Sequence, residues 1–382
     1  MRGAAMLIKN GLVFTEECRF EPLSVLTEDG IISELLSSDA MINYDGEVVD
    51  ASGCYVVPAF VDIHFHGCAG HDFCEASAEV IGRICEFEYS QGVTCICPAT
   101  MTLSDDDITR ILRTAAVYRN TQAGEGKAKL IGIHLEGPFI SPEKCGAQKK
   151  ELIQPPSAEK LREWLKASEK LVKLVTIAPE TEGALECIRE LSGAVHFSLG
   201  HTDCTYDTAL KAFTYGADHI THMYNAMSPF THREPSLIGA AFDTDGVFAE
   251  LICDGVHLSP TAVRAAFALF GDDRIVLISD SMEAAGMPDG EYQLGGQKVT
   301  KNGSRAVLAD GTLAGSVTPL PDCVRTAVKM GIPLESAIKA STINPCRSIG
   351  ADDTYGSISK GKAAHILLLD RNDLSLKAVY TK

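Results

Sequence analysis

Residues 56–67 read VVPAFVDIHFHG. An apolar run of this kind, closed by Gly67, reads as a strand buried on both faces, as strands of parallel sheets are. It finishes on His64 and His66. Side chains alternate along a strand, so residues two apart share a face. Two neutral imidazoles on one face make half of a divalent-metal site.

Outward from this run the pattern repeats. With 56–64 as the first, further apolar runs at 92–98, 130–136, 171–178, 194–199, 219–222, 248–253 and 274–280 read as strands. Amphipathic helical patterns lie at 79–91, 104–120, 157–168, 181–192, 205–215 and 259–270, and 321–330 and 334–341 follow the last strand. Ser104 is a helix cap, and Asp105, Asp106 and Asp107 suit the positive helix start. This alternation predicts an α/β fold, a (β/α)8 barrel of the TIM type over residues 56–350. Residues 1–55 and 351–382 break the rhythm. They carry short strand-like pieces such as IKNGLVF (8–14), TEDGIISELL (27–36), HILLLD (365–370) and SLKAVYT (375–381). Asn-Gly and Asp-Gly pairs mark turns among them. We expect one small β-sandwich domain built from both ends, because each tail has apolar strands that need a partner.

Composition narrows the function classes. The 382 residues are 45% hydrophobic and 22% charged, and 34 basic against 51 acidic residues leave a net charge of −17. That field disfavours nucleic acid and anionic membranes as partners. The 13 cysteines are odd in number and scattered, which fits a reduced, cytoplasmic setting; Cys95 and Cys97 read as core thiols. No run reaches the roughly 18 apolar residues of a membrane span, and residues 1–14 lack a signal-peptide core. Met1 and Met6 are alternative starts. No G-x-x-x-x-G-K-[ST] phosphate loop occurs.

In such barrels the chemistry sits where strands end. The third run ends IHLEGPF and delivers Glu136; the fifth ends SLGHT and delivers His201. The sixth ends HITHMYNAM and delivers His222; the eighth ends VLISDSM and delivers Asp280. His134, His196 and His219 read as hydrogen-bonded core residues. Histidine and glutamate donors suit zinc, iron, cobalt or manganese. Such an ion polarises a carbonyl and lowers the pKa of water, and a nearby carboxylate moves the proton. The pattern predicts metal-assisted hydrolysis of a C–N bond.

These motifs resemble the amidohydrolase superfamily. HLEGPFI, GHTDCTY, THMYNAMSPF, REPSLIGAA, CDGVHLSP, ISDSM and GTLAGS, in that order, narrow the resemblance to the N-acetylglucosamine-6-phosphate deacetylase family, over about residues 56–316. The resemblance implies an enzyme of amino-sugar catabolism that releases acetate from a small amino-sugar phosphate. It implies Glu136, His201 and His222 as main metal ligands, and His64 and His66 as the additional pair of members that hold two ions. One or two divalent ions per subunit are therefore expected, with zinc or iron foremost. Asp280 matches the catalytic base and acid. Ala147, Gln148, Asn225, Ala226, Arg233, His257, Leu313, Ala314 and Gly315 match substrate contacts. The family's matching arginine crosses a homodimer interface, so Arg233 is expected to serve the neighbouring subunit's phosphate. Two departures stand out. Gly146-Ala147-Gln148 replaces the commoner Gly-Ala-His, and Val317-Thr318-Pro319 follows LAGS where Leu-Thr-Met is usual.

Two other readings remain open. The substrate is the galacto epimer or another N-acyl sugar phosphate, or the barrel is inactive and serves assembly. An inactive barrel predicts missing donors, and here every donor is present.

Overall fold

The run opening at Val56 is two strands. Cys54–Pro58 pairs in parallel with Leu12–Phe14 and antiparallel with Ile366–Asp370. Phe60–Asp62 pairs instead with Val93–Ile96. The chain changes sheets at Ala59, whose N–H donates to His365 O at 2.9 Å, while Phe60 N–H donates to Gly92 O at 3.1 Å. Hydrophobicity runs through this point without a break; Pro58 is its only mark in the sequence. The computed structural model describes residues 5–38, 44–122 and 124–381. Met1, one of the two candidate starts, lies outside them.

Phe60–Asp62, Val93–Ile96 and Lys129–Leu130 form a three-stranded parallel sheet. Ile133–Glu136, Val172–Ile177, His196–Leu199, His219–Ile220, Phe248–Ile252 and Ile275–Ile278 form a six-stranded one in sequence order, parallel throughout. A parallel bridge from Ala99 to His134 joins the two sheets. At the other edge Asp280 N–H donates to His64 O at 2.9 Å, and His66 N–H donates to Ser281 O at 2.7 Å. The result is a curled parallel sheet of the TIM-barrel type. The expected third strand is interrupted at Ile131 and Gly132, between Lys129–Leu130 and Ile133–Glu136.

The helices follow the expected order. Ala78–Ser90, Asp105–Thr121, Ala158–Ala167, Tyr206–Thr214 and Pro260–Phe270 are each capped by a Ser or Thr hydroxyl that accepts a backbone N–H. Such caps contribute about 1 kcal/mol each. Their apolar faces pack outside the sheet; Trp164 stacks on Phe139 with centroids 5.5 Å apart. The segment after the sixth strand is partly helical. Its second half forms the helix Ser236–Phe242, which buries Leu237 and Ile238. A three-stranded antiparallel sheet, Gly290–Leu294, Gln297–Asn302 and Arg305–Val307, follows the eighth strand and was not anticipated.

The chain ends form two further sheets, the first from the N-terminal end alone and the second from both ends. One contains Ala5–Lys9, Leu23–Glu28, Ile31–Ser37 and Glu47–Asp50. The other places Leu376–Tyr380, Ile366–Asp370, Cys54–Pro58, Leu12–Phe14 and Phe20–Glu21 side by side. One apolar cluster joins Ile8, Val25 and Ile32 to Val56, Ile366 and Leu368. Burying such side chains stabilises by about 1.5–3 kcal/mol each, and neither end supplies the cluster alone.

Candidate active site

The strands finish at one mouth, where Glu136 closes its strand and His64, His66, His201, His222 and Asp280 follow the last residues of theirs. His201, His222 and Asp280 take φ of 47°, 27° and 48°. For residues with a Cβ this left-handed backbone costs on the order of 1–3 kcal/mol each, and fixed hydrogen bonds accompany it. His201 O accepts from Ser141 N–H at 2.9 Å, and Asp280 O accepts from Ser316 N–H at 2.7 Å. Gly315 is required beside Asp280: its φ is 62°, and a Cβ there would sit 2.9 Å from Asp280 O.

The side chains converge on Glu136. Its Oε1 lies 3.1 Å from both His201 Nε2 and His222 Nε2 and 3.3 Å from His64 Nε2. Its Oε2 lies 3.3 Å from His66 Nε2 and accepts from Gln148 Nε2 at 2.7 Å. Asp280 Oδ1 stands 3.3 Å from His66 Nε2 and 3.6 Å from His64 Nε2. All six are buried. Among the described residues three donor groups can hold a cation here: Glu136 with His201 and His222, His64 with His66 and Asp280, and His64 with His134 and Glu250.

The electrostatics match that use. Burial works against ionising Glu136, yet the imidazoles of His64, His201 and His222 around it hold its carboxyl well below the usual range. Asp280 is also lowered: burial opposes this, and the imidazoles of His66 and His64 beside it outweigh it. His66 is pushed up to about 9; burial opposes the shift, and the adjoining carboxylates of Asp280 and Glu136 overcome it. The donor set fits a divalent ion. His201 Nδ1 donates to Lys144 O at 2.9 Å, so in the neutral ring Nε2 is bare. Its Nε2 lies 3.1 Å from His222 Nε2 as well as from Glu136 Oε1. Acceptors crowded this closely repel unless a proton or a cation joins them. Buried His64 Nε2 and Asp280 Oδ1 have no hydrogen-bond partner and point to the same place.

A cavity of about 270 Å³ opens over these groups. His66, Glu136, Ala147, Gln148, His201, His222, Asn225, Ala226, His257, Asp280, Leu313 and Gly315 line it. His64 lies beneath its floor, and Ala314 is buried behind it. Arg233 is exposed and does not line this cavity. His257 is oriented by Asp254, whose Oδ2 lies 2.8 Å from Nδ1. Of the three histidines expected as hydrogen-bonded core residues, only His134 is both buried and bonded, to Thr176 Oγ1 at 2.7 Å; His196 bonds Asp218 but is partly exposed, and His219 is buried with neither ring nitrogen hydrogen-bonded; none lines the cavity. Sequence reasoning missed Glu250, in the middle of Phe248–Ile252 and fully buried against His64. A lone acid inside an apolar run was its signal, because a buried carboxylate needs a partner.

A buried cluster of histidines and carboxylates at the mouth of a curled parallel sheet defines a metal-dependent hydrolase, and comparison names the class. The Amidohydrolase family model matches residues 55–381, and the chain belongs to that family. N-acetylglucosamine-6-phosphate deacetylase of Bacillus subtilis (strain 168) is 36% identical over 96% of this chain and 93% of its own length. N-acetylgalactosamine-6-phosphate deacetylase of Escherichia coli O157:H7 is 34% identical over 94% and 93%. A mutant form of N-acetyl-D-glucosamine-6-phosphate deacetylase from Mycobacterium smegmatis, solved in complex with N-acetyl-D-glucosamine-6-phosphate, superposes with a TM-score of 0.90. It is 30% identical and covers 100% of this chain and 98% of its own.

Proposed function

We propose that this chain hydrolyses the acetamide of N-acetyl-D-glucosamine 6-phosphate to D-glucosamine 6-phosphate and acetate, as an enzyme of amino-sugar breakdown. The observation that carries the chemistry is the convergence of His201 and His222 on Glu136 Oε1 at 3.1 Å, with Asp280 facing the same point. The substrate rests on the relatives. Glu136, His201 and His222 would hold one divalent ion, and His64 and His66 would serve a second. Such an ion polarises the amide carbonyl and lowers the pKa of the attacking water. Asp280 takes the water proton on its carboxylate and passes it to the leaving amine nitrogen. Ala147, Gln148, Asn225, Ala226, His257, Leu313, Ala314 and Gly315 orient the sugar and the acetyl group.

The parallel strands form a complete eightfold barrel spanning residues 56–350, and residues 1–55 and 351–382 make a β-sandwich beside it. Two such chains pair, and Arg233 of each binds the phosphate held by the other. The exposure of Phe230 (46%) and Phe242 (44%) on the same segment supports an interface there. A cytoplasmic setting is supported by free thiols at all 13 cysteines. Among the described residues no helix is long and apolar enough to cross a membrane.

The galacto epimer is the second reading, favoured by the similar identity of the Escherichia coli relative. Steady-state rates on both epimers, with metal content measured on the same sample, decide. We expect higher kcat/KM for the gluco epimer and one or two bound ions. Absence of any ion, or a preference for the galacto epimer, sinks the corresponding claim.

A further inference from the structure

The reaction above assigns nothing to Glu250, although this buried residue lies between the two donor groups proposed for the ions. Its Oε2 accepts from the His222 backbone N–H at 3.0 Å and lies 2.8 Å from His64 Nδ1. A carboxylate only accepts, so Nδ1 carries the hydrogen of that bond. The remaining ring nitrogen, Nε2, faces Glu136 Oε1 at 3.3 Å and Asp280 Oδ1 at 3.6 Å and has no hydrogen-bond partner. The other Glu250 oxygen, Oε1, stands 3.5 Å from His219 Nε2 and makes no hydrogen bond. One oxygen thus contacts the ring of one candidate ligand and the backbone of another.

We propose that Glu250 is a positioning residue that turns His64 Nε2 into the metal centre and ties that ring to the His222 backbone, so that one carboxylate sets both donor groups. The inference rests on the metal-dependent reading given above. An acceptor behind a ligating histidine fixes its tautomer and raises its basicity. A buried acid that only filled the core would act on folding and leave metal affinity alone.

The test is metal affinity, read by elemental analysis after dialysis against graded chelator. Glu250→Gln retains an oxygen acceptor of the same shape without the charge. We expect it to bind metal about 10–100-fold more weakly, with kcat lowered and KM within about twofold of the parent, as a group acting only through the metal centre requires. In a His64→Asn background the same substitution should cost clearly less than in the parent, only what passes through the His222 backbone. Parent-like affinity in Glu250→Gln, or full additivity with His64→Asn, overturns the inference. Should the parent bind no ion, the proposed function fails, and crystals of Glu250→Ala then decide this inference separately. A turned His64 ring supports it, and a ring in the parent orientation overturns it.

Discussion

Gln148 bridges the floor of the site to its central carboxylate: its Nε2 donates to Glu136 Oε2 at 2.7 Å, and its Oε1 accepts from Thr102 N–H at 2.6 Å. The amide therefore anchors one oxygen of Glu136 while the other faces His201 and His222. Gln148→Ala should lower kcat/KM by about 10–100-fold and weaken metal retention against chelator. Gln148→His retains a donor and should lose less. Unchanged kinetics and metal retention in the alanine variant would remove Gln148 from the site.

Glu136 is the point on which the imidazoles converge. Glu136→Ala should strip the metal and abolish turnover. His64→Asn should lower the metal content and leave some activity. Elemental analysis of both variants checks this, and full metal content in Glu136→Ala refutes the assignment.

Asp280 is held ionised beside His66 and His64. Asp280→Asn keeps the shape and loses the proton acceptor, so substrate affinity and metal content should persist while kcat falls by about 10²–10⁴ or more. Turnover within about tenfold of the parent would contradict a base role.

Arg233 faces solvent on its own chain. An arginine on phosphate is a strong charge-assisted contact, so Arg233→Met should raise KM for the 6-phosphate sharply and leave metal content intact. Mixing Asp280→Asn chains with Arg233→Met chains tests the crossing. A mixed dimer has one barrel with a sound Asp280 and a partner's arginine, so activity should return on subunit exchange. If exchange occurs and no activity returns, the arginine does not cross.

Glu88 lies in the helix Ala78–Ser90, and burial, reinforced by Asp62, pushes its pKa up to about 8. The folded state then holds a proton that the unfolded chain releases near the ordinary carboxyl value. Stability should fall as pH rises through that interval and level off above about pH 8. Glu88→Gln should therefore melt higher than the parent at pH 8, by a few kcal/mol at most, with the gap closing toward pH 5. Equal melting temperatures at both pH values would argue against a buried acid.

The ligand-type residues were legible because each closes an apolar run, where hydrophobicity stops abruptly on His, Glu or Asp. Glu250 escaped because it interrupts a run instead of ending it. The change of sheet at Ala59 was hidden because burial on both sides of it is continuous. The antiparallel sheet after the eighth strand did carry a signal. Gly295-Gly296 and Asn302-Gly303 are turn pairs, with Tyr292 and Leu294 alternating before the first and Val299 between the two. Whether Arg233 serves a neighbour depends on an assembly, which residue pattern within one chain reaches only by resemblance.

The left-handed backbone at His201, His222 and Asp280 sets thermal endurance against chemistry. Glycine takes that conformation freely, and asparagine tolerates it better than most residues. Glycine at these positions would relax the chain while deleting the groups that act. Laboratory evolution that rewards only survival on heating should therefore accumulate Gly or Asn at 201, 222 and 280 and drift into silence. A screen for hardier forms of this enzyme has to score turnover in every round.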